Sequence, residues 1–142
     1  MRFVAPLLLV LAAPLAVAHA EAGPAAAVRG YFEALGRQDF GSALALTDGA
    51  AQARTSRMVD TLKSEAAAHH ARVDVKVTKL DVREPGAPDE HGLPITVAFH
   101  IDVVGHKWCF SKIARALDGV ARFYFDPARP DRILAIEGRI VD

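Results

Sequence analysis

The chain has 142 residues, 51% of them apolar, with 17 basic and 17 acidic side chains and a formal net charge of zero. That length holds one domain with a real core and is too short for two. The even charge gives no electrostatic case for nucleic acid or an anionic lipid surface, and a single cysteine, Cys109, excludes an internal disulfide.

Arg2 precedes an apolar run from Phe3 to Val17, and Ala18-His19-Ala20 follows. A charged start, a hydrophobic middle and a small-x-small ending make a secretory signal peptide, so cleavage is expected after Ala20. The competing reading is an uncleaved membrane anchor. A span needs about 20 apolar residues, whereas this run is shorter and carries Pro6 and Pro14. Residues 21–142 are therefore expected to be one exported domain, periplasmic or secreted, without membrane attachment after cleavage. Losing Arg2 leaves it a formal charge of −1, and its core alone must hold it together.

Pro24 suits a first helical turn, where its missing N–H costs nothing. Val28, Tyr31, Phe32 and Leu35 then recur at helical spacing, and Gly36 suits the helix end. Asp39 is placed to cap a second helix whose Phe40, Ala43 and Leu44 face inward, closed by Thr47-Asp48-Gly49. Residues 50 to 71 contain neither Gly nor Pro and favour a third, longer helix on propensity. Met58, Val59, Leu62 and Ala66 form its buried seam, leaving Arg54, Arg57, Lys63 and Glu65 on a solvated face.

From Val73 the period changes to two. Val73, Val75 and Val77 alternate with Asp74 and Lys76, and the apolar phase then shifts to Leu80 and Val82, which predicts a bulge near Thr78-Lys79. Residues 83 to 92 read as a polar, mobile loop with two prolines. The second strand places Leu93, Ile95, Val97, Phe99, Ile101 and Val103 on one face and Thr96, His100 and Asp102 on the other. Burying those six apolar side chains yields on the order of ten kcal/mol before chain entropy is subtracted. Gly105-His106 fits a tight hairpin turn, with Trp108 and Phe110 beginning the returning strand and Cys109 a small buried residue within it.

Ser111 to Leu117 reads either as strand or as two turns of helix capped by Ser111. Strand is favoured, because Asp118-Gly119 between apolar runs signals another hairpin. Ala121, Phe123 and Phe125 alternate with Arg122 and Tyr124, residues 126 to 131 turn the chain, and Ile133 to Val141 forms the last strand. The expected architecture is α+β, with three N-terminal helices on one face of a curved, mainly antiparallel sheet of about five strands.

The stretch Val28-x-x-Tyr31-Phe32-x-Ala34-Leu35-x-x-x-Asp39-Phe40-x-x-Ala43-Leu44 resembles the start of the nuclear transport factor 2-like superfamily. These are cone-shaped, cystatin-like α+β domains that include ketosteroid isomerases, polyketide cyclases and many exported domains. The order of helices and strands is similar over essentially the whole of residues 21–142. The resemblance implies a cavity inside the cone, and in the isomerases a first-helix tyrosine helps stabilise an oxyanion. Tyr31 falls at that position. The isomerases' proton-moving aspartate is not matched at residues 47 to 51, and no acid stands among Val97, Phe99 and Ile101 for the protonated aspartate. The leading expectation is therefore a non-catalytic domain that binds a small apolar ligand or a protein.

The ligand pocket candidates are Tyr31, Phe32, Phe40, Val97, Phe99, Trp108, Phe110 and Phe123, each of which reads equally as core. The alternative is an isomerase, cyclase or dehydratase with Tyr31 as oxyanion donor and His100 with Asp102, or Asp48, as base. That reading requires the groups to converge on one cavity. A homodimer is expected through the sheet face bearing Thr96, His100, Asp102, Arg122 and Tyr124. No cofactor or metal is expected: His69 and His70 point about 100° apart on a helix, and His91 and His106 read as solvated.

Overall fold

The first helix, α1, runs over Pro24–Gly36 and buries Ala27, Val28, Tyr31, Phe32, Ala34 and Leu35 along one stripe. The structure, a computed structural model, describes residues 23–141; the expected signal peptide, its cleavage point and residues 21, 22 and 142 lie outside the described residues. Helix α2 covers Phe40–Ala45, and Asp39 caps it by accepting hydrogen bonds from the Ser42 amide at 3.2 Å and the Ser42 hydroxyl at 2.6 Å. Helix α3, Gly49–Ala68, buries Ala51, Thr55, Met58, Val59 and Leu62. Arg54 is half-buried, in contrast to the solvated face expected for it. Its guanidinium donates to the Ile136 carbonyl at 2.7 Å and also to the Gly138 carbonyl.

Four strands follow: β1 (Arg72–Val82), β2 (Leu93–Lys107), β3 (Phe110–Asp126) and β4 (Arg129–Glu137), paired antiparallel in that order as an open sheet. The bulge in β1 lies between Val77 and Lys79, as its apolar phase shift predicts. Among the described residues there are four strands rather than the expected five, because Asp118-Gly119 does not turn the chain. Both residues lie within β3, Asp118 opposite His100 and Gly119 opposite Phe99. The glycine has another reason to be there: the Phe99 ring lies over it, and a Cβ at Gly119 would come within 2.7 Å of Phe99 Cζ.

The β2–β3 turn is at Trp108-Cys109, not at Gly105-His106, since Gly105 pairs with Lys112 and Lys107 with Phe110. Cys109 is consequently exposed at the turn rather than buried in a strand. Only Pro127 and Ala128 separate β3 from β4, and β4 ends at Glu137. Gly138, at φ 103°, then redirects the chain so that Ile140 and Val141 return to the core.

The loop of residues 83–92 folds back on the sheet. The Gly86 amide donates to the Pro94 carbonyl at 2.9 Å, and the His91 ring meets the Tyr124 ring edge-on at 5.6 Å.

One face of the sheet is the core wall. Val75, Ile95, Val97, Phe99, Ile101, Val103, Ala121, Phe123 and Phe125 are all buried with the apolar stripes of the helices. The Phe32 ring lies 5.4 Å from Phe99 and 5.6 Å from Phe123, and Tyr31 is 5.7 Å from Phe123.

Two further contacts tie the helical layer to the outermost strands. Gln38, at φ 60°, donates to the Val75 carbonyl and accepts from the Val75 amide, both at 2.8 Å. Between α2 and α3, Thr47 bridges Ile133 in parallel, with Asp48 N to Ile133 O and Ile133 N to Leu46 O both at 2.8 Å.

Candidate functional site

Strands β2 and β3 have 15 and 17 residues, or about 50 Å at roughly 3.3 Å per residue. The longest helix, α3, has 20 residues and spans only about 30 Å. The helices therefore cannot cover the whole sheet, and the β2–β3 hairpin runs past them. The inner face of β3 registers the change: Phe125, Phe123, Ala121, Gly119 and Leu117 are followed at the same spacing by Arg115. Its guanidinium meets the Glu65 carboxylate of α3 at 3.1 Å.

That ion pair crosses a cleft of about 580 Å³ between the end of α3 and the sheet. Val73, Val103, Ile113 and Ala114 supply apolar lining, Glu65 and His69 come from the helix, and Lys107, Lys112 and Arg115 supply positive charge. Three basic side chains against one acid suit a small amphiphile that carries an anionic group and an apolar body. Glu65, expected on a solvated face, lies instead at this cleft, and the sequence alone does not mark Arg115 or Lys112. The apolar-to-basic switch at Arg115 is the signal that marks them, and it becomes visible only once β3 is known to be continuous.

The predicted pocket residues separate into two groups. Tyr31, Phe32, Val97, Phe99 and Phe123 are buried and pack on one another, with Phe40 half-buried against them. These rings occupy the space a cavity would need. Trp108 and Phe110 do not join them; they are 94% and 76% exposed on the hairpin beyond the helices.

The acid–base candidates do not converge. Tyr31 lies in the core with its hydroxyl 2.9 Å from Thr55 Oγ1. His100 and Asp102 alternate with buried Phe99 and Ile101, so they lie on the outer face of the sheet. An arrangement that joins Tyr31 to His100 is therefore ruled out by the alternation of β2. Asp48 stands at the start of α3, with its carboxylate 2.7 Å from Arg132 and 3.7 Å from Arg129. It ties that helix to β4.

On the outer face His100 is held by two carboxylates, Nδ1 2.8 Å from Asp118 and Nε2 3.0 Å from Asp102. A neutral imidazole has one N–H and satisfies only one of them, whereas the imidazolium donates to both. The hydrogen bonds to Asp118 and then Asp102 accordingly raise its pKa above the ordinary value. The Asp118 partnership is not legible in the sequence, where Asp118-Gly119 has the form of a turn; in the fold Asp118 stands in β3 opposite His100.

His106, expected to be solvated, is half-buried. Its Nδ1 is 2.7 Å from Ser111 Oγ, and its Nε2 lies 2.9 Å from an Asp74 carboxylate oxygen without hydrogen-bond alignment. Thr96 and Arg122 pair across the same face, where Tyr124 is buried beneath His91 and donates to Glu137 at 3.0 Å. Desolvation and then the Glu137 carboxylate raise the Tyr124 pKa. Among the described residues no group of three or more His, Cys, Asp or Glu side chains is arranged to hold a metal ion, and no helix is long and apolar enough to cross a membrane.

The chain matches no family model and no curated protein. Its reading therefore rests on the cleft, the outer face and the hairpin.

Proposed function

We propose that the chain is an exported, non-catalytic binding domain of the nuclear transport factor 2-like kind, and that the cleft between α3 and the sheet receives a small amphiphilic ligand. The observation that carries this reading is the cleft itself, about 580 Å³ with apolar walls and the Arg115–Glu65 pair across it. The rings that pack ring against ring behind it make the core a floor rather than a reaction chamber. An anionic headgroup would exchange Glu65 for itself on Arg115, with Lys107 and Lys112 adding attraction, while the apolar body lies on Val73, Val103 and Ile113. The separation of Tyr31 from His100 and Asp102 favours binding over isomerase-type chemistry. The same reading pairs two copies through the outer face of the sheet, where Val120 is 62% exposed.

The test is a thermal-shift and calorimetric screen of fatty acids, aromatic carboxylates and their neutral amides. Carboxylates are expected to raise the melting temperature progressively with the free ligand concentration L, following RT ln(1 + L/Kd). Ala114→Phe, which fills the cleft from an exposed position, should abolish that rise, and Arg115→Gln should remove the preference for acid over amide. A rise that persists unchanged in both variants, or no stabilising ligand in the screen, overturns the reading.

A further inference from the structure

The tip of the β2–β3 hairpin presents large apolar side chains that the described residues leave exposed: Trp108 at 94%, Phe110 at 76% and Ile113 at 55%. Trp108 also holds a left-handed backbone at φ 58°, where a bulky residue is strained and glycine or asparagine would sit without cost. The turn thus keeps a tryptophan at the apex against its local conformational preference.

The charge around it is one-sided. From Gly105 to Leu117 there is no acidic residue, while Lys107, Lys112 and Arg115 lie in that interval. Arg115 is engaged by Glu65; Lys107 and Lys112 have no ion pair among the described residues. The balanced total charge conceals this concentration, which is why composition alone gave no reason to expect an anionic surface.

Shape and area decide what such a tip fits. At roughly 150–250 Å² per aromatic side chain, Trp108, Phe110 and Ile113 together offer roughly 500 Å². A stable protein interface needs about 800 Å² from each partner. A convex apex of Trp and Phe flanked by lysines instead matches the boundary of a bilayer, where amphipathic rings sit at headgroup depth and lysines meet lipid phosphates. We propose that the hairpin tip is an interfacial anchor that seats Trp108 and Phe110 among the headgroups of an anionic lipid bilayer, with Lys107 and Lys112 on the phosphates. The tip shares Lys107, Lys112 and Ile113 with the cleft, but the inference needs only Trp108, Phe110 and the two lysines and does not require a ligand in the cleft.

Trp108 is the only tryptophan in the chain, so its fluorescence reports the contact directly. The processed chain, residues 21–142, is titrated with vesicles of phosphatidylglycerol and phosphatidylcholine, and with phosphatidylcholine alone. Anionic vesicles should shift the emission to the blue and protect it from iodide, and neutral vesicles should do neither.

A lysine at an anionic surface is worth about fivefold in partitioning, so Lys107→Glu with Lys112→Glu should weaken vesicle binding at least about 25-fold. Phe110→Ser, which leaves the reporter in place, should weaken it about tenfold or more. Far-UV circular dichroism and the thermal midpoint should match the parent in both variants. No blue shift on anionic vesicles overturns the proposal, as does vesicle binding that Phe110→Ser leaves intact. A shift that grows with protein concentration without lipid assigns the tip to a second copy, and one produced equally by a single-stranded oligonucleotide assigns it to general polyanion binding; either result also overturns the proposal.

Discussion

Substituting alanine for Gly119 and for Gly105 should move stability in opposite directions, although both glycines lie inside strands. Alanine relieves the conformational cost of a strand glycine, a gain of about 0.5–1 kcal/mol at either site. At Gly105 the nearest atom to an added Cβ is the Lys112 carbonyl oxygen at 3.9 Å, ordinary contact, so the gain stands alone. At Gly119 the methyl would lie 2.7 Å from Phe99 Cζ and 3.1 Å from Cε2. That ring is buried and backed by Phe32 at 5.4 Å, so it has little room to retreat. Overpacking of this kind costs about 1–3 kcal/mol, which outweighs the gain and leaves Gly119→Ala less stable by about 1 kcal/mol at the middle of the two ranges.

Urea denaturation followed by far-UV circular dichroism measures both changes, since the exposed Trp108 is a poor reporter of unfolding. A Phe99→Leu background should reduce the Gly119→Ala penalty by about 1 kcal/mol, the coupling expected of residues in direct contact. The reasoning is refuted if Gly119→Ala is as stable as the parent, or if the penalty is unchanged in the Phe99→Leu background.

Other outcomes follow from single side chains. His100 has a raised folded pKa, so its contribution to stability is fully present below the unfolded value near pH 6.5 and fades as pH rises through the folded value. An NMR titration should place its midpoint above the ordinary histidine value, Asp118→Asn should lower it, and His100→Gln should remove that part of the pH dependence; an unshifted midpoint refutes the two-carboxylate clamp. Asp39 has the opposite sign: the Ser42 hydrogen bonds lower its pKa, so its contribution is lost as pH falls through that lowered value. Thermal melts of Asp39→Ala should show a loss that Asp39→Ser largely restores, because serine is a good N-cap, and equal melting of the two variants contradicts the capping role. Tyr31→Phe removes the 2.9 Å bond to Thr55 and should cost about 1 kcal/mol of stability while leaving ligand affinity in the cleft unchanged. Calorimetry that shows a large loss of affinity would return Tyr31 to the site.

The helices and their caps were legible because their causes are local. Asp39 caps within three residues, Pro24 and Gly36 bound a short periodic run, and the phase shift from Val77 to Leu80 announces a bulge before any partner strand is known. Positions that answer to something distant are not legible in this way. Gly119 looks like half of a turn in sequence, yet its reason is the Phe99 ring on the neighbouring strand. Trp108 and Phe110 are spaced as core residues of a strand are, and that spacing alone does not reveal that the helices end before they could cover them. The Asp118–His100 pair and the Arg115–Glu65 pair both depend on the register of β3, which the turn-like dipeptides Gly105-His106 and Asp118-Gly119 hide in the sequence.

Gln38 and Thr47 have a consequence for how this protein can assemble. An open four-stranded sheet has two free margins, and an unpaired margin invites a strand from another chain. Here the side-chain amide of Gln38 occupies both backbone groups of Val75 on β1, and the Leu46–Asp48 backbone occupies those of Ile133 on β4. An incoming strand would have to displace one of these plugs before it could zip along either side. Copies of this domain are thereby steered away from strand-by-strand polymerisation, and Gln38→Ala would reopen the β1 margin while leaving the fold's core untouched.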